Sequence, residues 1–243
     1  MALRLPIIYI LTAFLALAGS LAWAGPTEPP HSTPSVIALD PGHGGKQIGA
    51  RGPQGTLEKE ICMALAGRLA LLLEPDFRVV LTRGDDYDVP LMERTGVANH
   101  QRADLFVSLH MAAGFAPAAD GITIYTFKPA NPKAIEREIA SASTSGAVAW
   151  HRAQIPHAAA SRDLAVRFQQ QFEAMPGAPP VRTAQAPLLV LTGAQMPAVL
   201  IEVGNLKHAA AESRLNTPEG QSLYVQAMAR AIDSFLASRR SPQ

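Results

Sequence analysis

Four short apolar runs punctuate the chain: "VIAL" from residue 36, "RVVLT" from 78, "DLFVSLH" from 104 and "PAVLIEVG" from 197. Their aliphatic and β-branched residues run almost without polar interruption, as in strands buried on both faces of a sheet. "GITIYTF" at 121 and "PLLVL" at 187 read as weaker or edge strands. Between the runs, apolar positions at helical spacing predict helices at about 57–74, 90–101, 159–174 and 218–237. Thr217 followed by Pro218 marks the last helix start, a capping residue with proline at the first helical position. Strands alternating with helices predict an α/β fold, a three-layer sandwich whose largely parallel central sheet is flanked by helices.

The first 24 residues break this rhythm. Arg4 is their one charge, the run "LPIIYILTAFLALAGSLA" follows, and Ala22-Trp23-Ala24 supplies a small-residue cleavage site. Residues 1–24 therefore read as a secretory signal peptide cut before Gly25, which implies a periplasmic or secreted protein with no remaining membrane association. A retained anchor is the alternative, since the run could nearly span a bilayer. The cleavage site and the proline-rich "GPTEPPHSTP" behind it favour removal. Residues 25–35 read as a linker, and 36–238 as one domain with an insertion at about 128–158. Periodicity weakens in that insertion, which includes "SASTSG" and a partly helical stretch around 134–140.

Composition narrows the classes. A chain that is 48% hydrophobic and 17% charged can bury a core. Its formal charge of +1 falls to zero once Arg4 is removed, which excludes nucleic acid as a partner. Cys62 is the single cysteine, so neither an internal disulfide nor a cysteine zinc cluster can form. It falls in the helical pattern of Ile61, Leu65, Leu69 and Leu72, where it reads as a small buried hydrophobe.

The stretch "LDPGHGGKQIGARG" after the first strand sets His43 in a glycine-rich loop. Glycine spacing does not complete a dinucleotide fingerprint, and "GGKQ" lacks the hydroxyl residue of a P-loop. The next helix opens only near Leu57, so no helix N-terminus is expected to face the loop. His110 ends the run "DLFVSLH", and Glu202 interrupts "PAVLIEVG". Parallel sheets gather ligand sites at the carboxyl ends of their strands, where His43 also falls. Two histidines and at least one acid there suit zinc, which catalytic sites hold with three protein ligands and one open position. Each residue also has an ordinary role open to it. A strand-end histidine can be a hydrogen-bonded core residue, and Glu58 and Glu60 can be acids complementing the positive end of a helix. Glu202 is the hardest to explain that way, because a buried unpaired carboxylate is costly.

"LDPGHGG", "EKE" at 58–60, "RADLFVSLH" and "MPAVLIEVGNL", in this order, resemble the zinc-dependent N-acetylmuramoyl-L-alanine amidases of the type 3 cell-wall family. "PLMERTGVANHQ" and "ESRLNTPEGQSLYVQAMARAI" match its connecting helices, so the resemblance spans about residues 36–237. It implies His43, Glu58 and His110 as ligands of Zn2+ and Glu202 as the catalytic acid–base, and leaves Glu60 on the helix surface. It further implies peptidoglycan as substrate, hydrolysed at the amide between N-acetylmuramic acid and L-alanine. Arg94 matches a recurrent family arginine with a structural or substrate-orienting role. Some members carry an inserted helix that a protein activator withdraws; the shorter insertion here implies a lip beside the site, and no activator is named by these motifs. Two departures concern the residues around the metal: Ala112 replaces an asparagine or aspartate, and Val203-Gly204-Asn205-Leu206 follows the catalytic glutamate in place of Gly-Phe-(Ile/Leu)-Ser-Asn. They keep open a non-catalytic or weakened amidase-fold protein that binds peptidoglycan or regulates its turnover. A zinc peptidase with a different substrate groove is the third reading.

Overall fold

The first apolar run forms β1 (Val36–Pro41), which pairs in parallel with β2 (Arg78–Leu81) on one side and β3 (Leu105–Ala112) on the other. A computed structural model describes residues 34–112, 120–133 and 150–240. The expected signal peptide, nearly all of the linker and the stretch around 134–140 lie outside the described residues. β3 pairs in parallel with β6 (Ala198–Asn205); β4 (Ile122–Phe127) then joins β6 antiparallel and carries β5 (Val181–Ala186) parallel to itself. The six strands stand in the order β2-β1-β3-β6-β4-β5, a largely parallel sheet with one antiparallel seam.

Helices cover both faces, as the alternating pattern predicts. On one face α1 (Glu58–Leu73), α3 (Ala158–Glu173) and α6 (Pro218–Arg240) pack against Ile37, Leu39, Val107, Leu109, Val199 and Ile201. On the other, α2 (Leu91–His100) and the short α4 (Leu189–Thr192) pack against Ala38, Phe106, Ala198 and Leu200. Side chains alternate faces along a strand. Continuing that alternation puts His110 and Glu202 on the second face, beyond its apolar cluster and near the carboxyl ends of β3 and β6.

Three local expectations change. "PLLVL" is no strand: Leu189–Thr192 is α4, which buries Val190 and Leu191 and leaves Leu189 exposed. The edge strand lies just before it, in the half-exposed "VRTAQA", whose mixed polar and apolar residues offer no apolar run to reveal it. In α1 it is Leu73, not Leu72, that continues the buried stripe after Leu69. A further helix, α5 (Ala209–Leu215), precedes α6. Cys62 is fully buried, as its place in the stripe predicts. Among the described residues no helix is long and apolar enough to cross a membrane.

Candidate metal centre

β1 delivers His43 into the centre through a backbone clamped by two buried arginines. Arg83 donates from Nε to the Pro41 carbonyl and from Nη2 to that of Gly42, each at 2.9 Å. Arg94 donates to the carbonyls of Pro41 (2.9 Å) and His43 (2.8 Å). Its Nη1 also meets Asp40 Oδ1 at 2.9 Å, and the fully buried Asp40 carboxylate accepts the Thr82 and Ser108 hydroxyls as well. A buried charge is tolerable when it is paired and fully hydrogen-bonded, and Asp40 meets that condition. The clamp holds His43 at φ 60°, a left-handed conformation that non-glycine residues seldom adopt. Gly42 is needed for a different reason: a Cβ there would lie 2.5 Å from Cε1 of His110.

The following loop brings Glu58 to the same place. The start of α1 does return to this loop, which the sequence does not foretell. Its leading amides are nevertheless occupied: Glu58 N–H donates to the Ala50 carbonyl (2.9 Å) and Lys59 N–H to that of Ile48 (3.3 Å). Anion binding needs those amides free, so the phosphate reading fails here too. Glu212 of α5, fully buried, secures the segment before α1 by accepting the backbone N–H groups of Gln54 (2.9 Å) and Thr56 (3.2 Å). At Gly49, with φ +67°, a Cβ would fall 2.5 Å from Glu58 Oε2 and 2.6 Å from His43 Cδ2. Only glycine fits.

Glu58 Oε1 stands 3.0 Å from both His43 Nε2 and His110 Nδ1. One backbone amide is directed at each carboxylate oxygen, Met111 N–H to Oε1 (2.9 Å) and Ala50 N–H to Oε2 (2.7 Å). Burial alone would raise the Glu58 carboxyl; hydrogen bonding to His110, His43 and Ala50 outweighs it and holds the group far below its ordinary 4.5. The carboxylate is thus kept ionised. One ligand atom from each of His43, Glu58 and His110 lies within 4.8 Å of the others. Donor atoms on a tetrahedral zinc with bonds near 2.0–2.1 Å stand about 3.3 Å apart. Two imidazole nitrogens and an ionised carboxylate oxygen, already this close, fit that ion.

Glu202 flanks the cluster. It is paired with His110 in the register of β3 and β6, and with Thr123 across the antiparallel seam. Tyr125 donates its hydroxyl to Glu202 Oε2 at 3.2 Å. Burial raises the Glu202 carboxyl, with Tyr125 and His110 opposing that rise. Burial, with Glu202 beside it, likewise raises the Tyr125 phenol, so it stays protonated and able to donate.

Residues 37–234 match the family model for N-acetylmuramoyl-L-alanine amidase, Amidase_3. The chain belongs to that family. It is 43% identical over 94 residues to N-acetylmuramoyl-L-alanine amidase AmiC of Escherichia coli O6:H1, which covers 38% of this chain and 22% of that protein. AmiC of Neisseria meningitidis serogroup B is 28% identical over 218 residues, 83% of this chain and 52% of that protein. The chain therefore spans about half or less of the length of these two amidases. Among solved structures, the catalytic domain of CwlV, an N-acetylmuramoyl-L-alanine amidase from Bacillus (Paenibacillus) polymyxa var. colistinus, superposes with a TM-score of 0.67. It is 28% identical, over 84% of this chain and 98% of that domain.

Against this amidase framework the four principal residues come together, and Glu60 stays apart. Glu60 is exposed and turns its carboxylate toward the Leu57 N–H (3.5 Å), away from the histidines. Arg94 is a backbone clamp, which is the structural half of its expected role. Sequence reasoning missed Asp40, Arg83, Tyr125 and Glu212. Asp40 had a signal, a charge closing an otherwise apolar strand. Arg83 and Glu212 had none, because a buried charge that serves backbone groups leaves no spacing pattern. Ala112 pairs with Asn205 just past an irregularity between β3 and β6.

Proposed function

We propose that this chain is a zinc-dependent amidase that hydrolyses the bond between N-acetylmuramic acid and L-alanine in peptidoglycan. The observation that carries the reading is the convergence of His43, Glu58 and His110 within 4.8 Å beside Glu202, in a chain of the amidase family. His43, Glu58 and His110 would hold the zinc, which when bound supplies a Lewis acid that activates water and polarises an amide carbonyl. Glu202 takes the proton of the attacking water and returns it to the departing amine nitrogen, general base and then general acid. Tyr125 fixes Oε2 of that carboxylate, and Oε1 serves the water. Asp40, Arg83 and Arg94 act at one remove, holding the His43 backbone in its left-handed turn.

Incubating the zinc-loaded protein with purified peptidoglycan and identifying the products by mass spectrometry tests this directly. Stem peptides beginning with L-alanine and glycan freed of peptide are expected. New amino ends without separation of peptide from glycan would point instead to a peptidase, and binding without cleavage to a non-catalytic protein.

The same reading takes residues 1–24 as a signal peptide and 36–238 as the catalytic domain of a periplasmic or secreted enzyme. N-terminal sequencing of the protein from an extracytoplasmic fraction is expected to begin at Gly25. Met1 retained in a membrane fraction would make it an anchored protein.

A further inference from the structure

Strand register draws a line of side chains away from the metal centre. His110 pairs with Glu202, Glu202 with Thr123, and Thr123 with Arg182, across β3, β6, β4 and β5. Paired residues of neighbouring strands share a face, so all four belong to the face that carries the site. Strands stand about 4.8 Å apart, which puts the Cα of Arg182 about 10 Å from that of Glu202. The Arg182 side chain turns inward, its Nε donating to Thr123 Oγ1 at 3.0 Å. Its two terminal nitrogens have no hydrogen-bond or carboxylate partner among the described residues, although the residue is solvent-exposed. Its charge reaches the site: after Tyr125 and His110, Arg182 also opposes the rise that burial imposes on Glu202.

An arginine on an edge strand has an ordinary use, since charge there discourages pairing with another chain. That use favours a side chain pointing into solvent. Arg182 is instead tied to a nearly buried threonine one strand from the catalytic carboxylate, with the open fork of its guanidinium unused. Such a fork matches a carboxylate with two parallel hydrogen bonds.

We infer that Arg182 is a specificity residue that binds a carboxylate on the peptide side of the scissile amide. The inference rests on the amidase reading and adds the substrate's orientation to it. On the glycan side the lactyl carboxyl is consumed in the amide itself, so free carboxylates belong to the stem peptide. The nearest is the α-carboxylate of a second residue, glutamate, joined through its side chain. Two extended residues span about 7 Å, within the about 10 Å that separates the Cα atoms of Glu202 and Arg182.

Two soluble probes test this: N-acetylmuramyl-L-alanyl-D-glutamate with its side-chain carboxyl capped as an amide, which leaves the α-carboxylate as its one free carboxylate, and the same compound with that carboxylate amidated too. Equilibrium titration in a Glu202→Gln background measures binding, and initial rates on the parent protein measure cleavage. The carboxylate form is expected to bind about tenfold more tightly, the worth of one charge-assisted contact. Arg182→Gln should equalise the two, and Arg182→Lys should keep part of the preference, because an ammonium supplies charge without the fork. Equal binding of both probes before substitution, or discrimination that survives Arg182→Gln, overturns the assignment. Failure of the parent protein to cleave either probe counts against the amidase reading alone. The binding preference then still decides the role of Arg182.

Discussion

Glu202→Gln should lower peptidoglycan turnover by about 10²–10⁴-fold, the usual worth of a positioned general acid–base, while bound zinc and the fold survive. The substitution keeps the shape and one carbonyl oxygen able to accept the Tyr125 hydroxyl (3.2 Å in the parent), and removes only the group that moves protons. Stability should shift in an informative direction. Burial raises the folded-state pKa of Glu202 above its ordinary 4.5. Between those two values the folded protein binds more protons than the unfolded chain, so ionising Glu202 erodes stability as pH rises through that window. At a pH above both values the cost is fully expressed in the metal-free protein, and a neutral glutamine removes it. The metal-free variant should melt at or above the temperature of its parent. A carboxylate that merely tied strand to strand predicts the reverse, a lower melting temperature with activity falling only in proportion to folded protein. Zinc content, melting temperature and turnover on this one variant separate the two. A folded, zinc-loaded variant with parental activity would falsify the assigned role.

Much of this architecture was legible because burial writes itself into sequence. The strands at 36, 78, 104 and 197 announce themselves as apolar runs, and all four lie in the parallel part of the sheet. β5 could not be read in the same way: an edge strand with polar residues on its open side lacks a core to demand aliphatic side chains. Within the site, His43, His110 and Glu202 stood out because each breaks a pattern, a glycine-rich turn or an apolar strand. Choosing Glu58 over Glu60 needed the family resemblance, since two acids in the first turn of a helix carry the same local signal. What separates them is tertiary: one carboxylate faces two imidazoles, and the other faces solvent. The clamp of Asp40, Arg83 and Arg94 was the least legible part, because its partners are backbone carbonyls that any sequence would offer.

That difference between two glutamates is open to measurement. Glu58→Ala should abolish stoichiometric zinc, as should His43→Ala and His110→Ala, because each removes one of only three protein donors. Glu60→Ala should leave zinc bound, since its carboxylate meets only the Leu57 amide at 3.5 Å. Glu58 should also matter to the metal-free fold. Its loss strands the N–H groups of Ala50 and Met111, and a buried unsatisfied donor costs about 1–3 kcal/mol. The pH dependence has a definite sign. The folded-state pKa lies below the ordinary 4.5, so the ionised carboxylate stabilises the metal-free fold fully above that value and progressively less as pH falls below it. Glu58→Gln, which titrates nowhere in this range, should flatten that part of the acid-stability curve, whereas Glu60→Gln should retain it. Zinc retained by Glu58→Ala but lost from Glu60→Ala would place the ligand two residues further along α1, on the side of the helix that this structure turns to solvent.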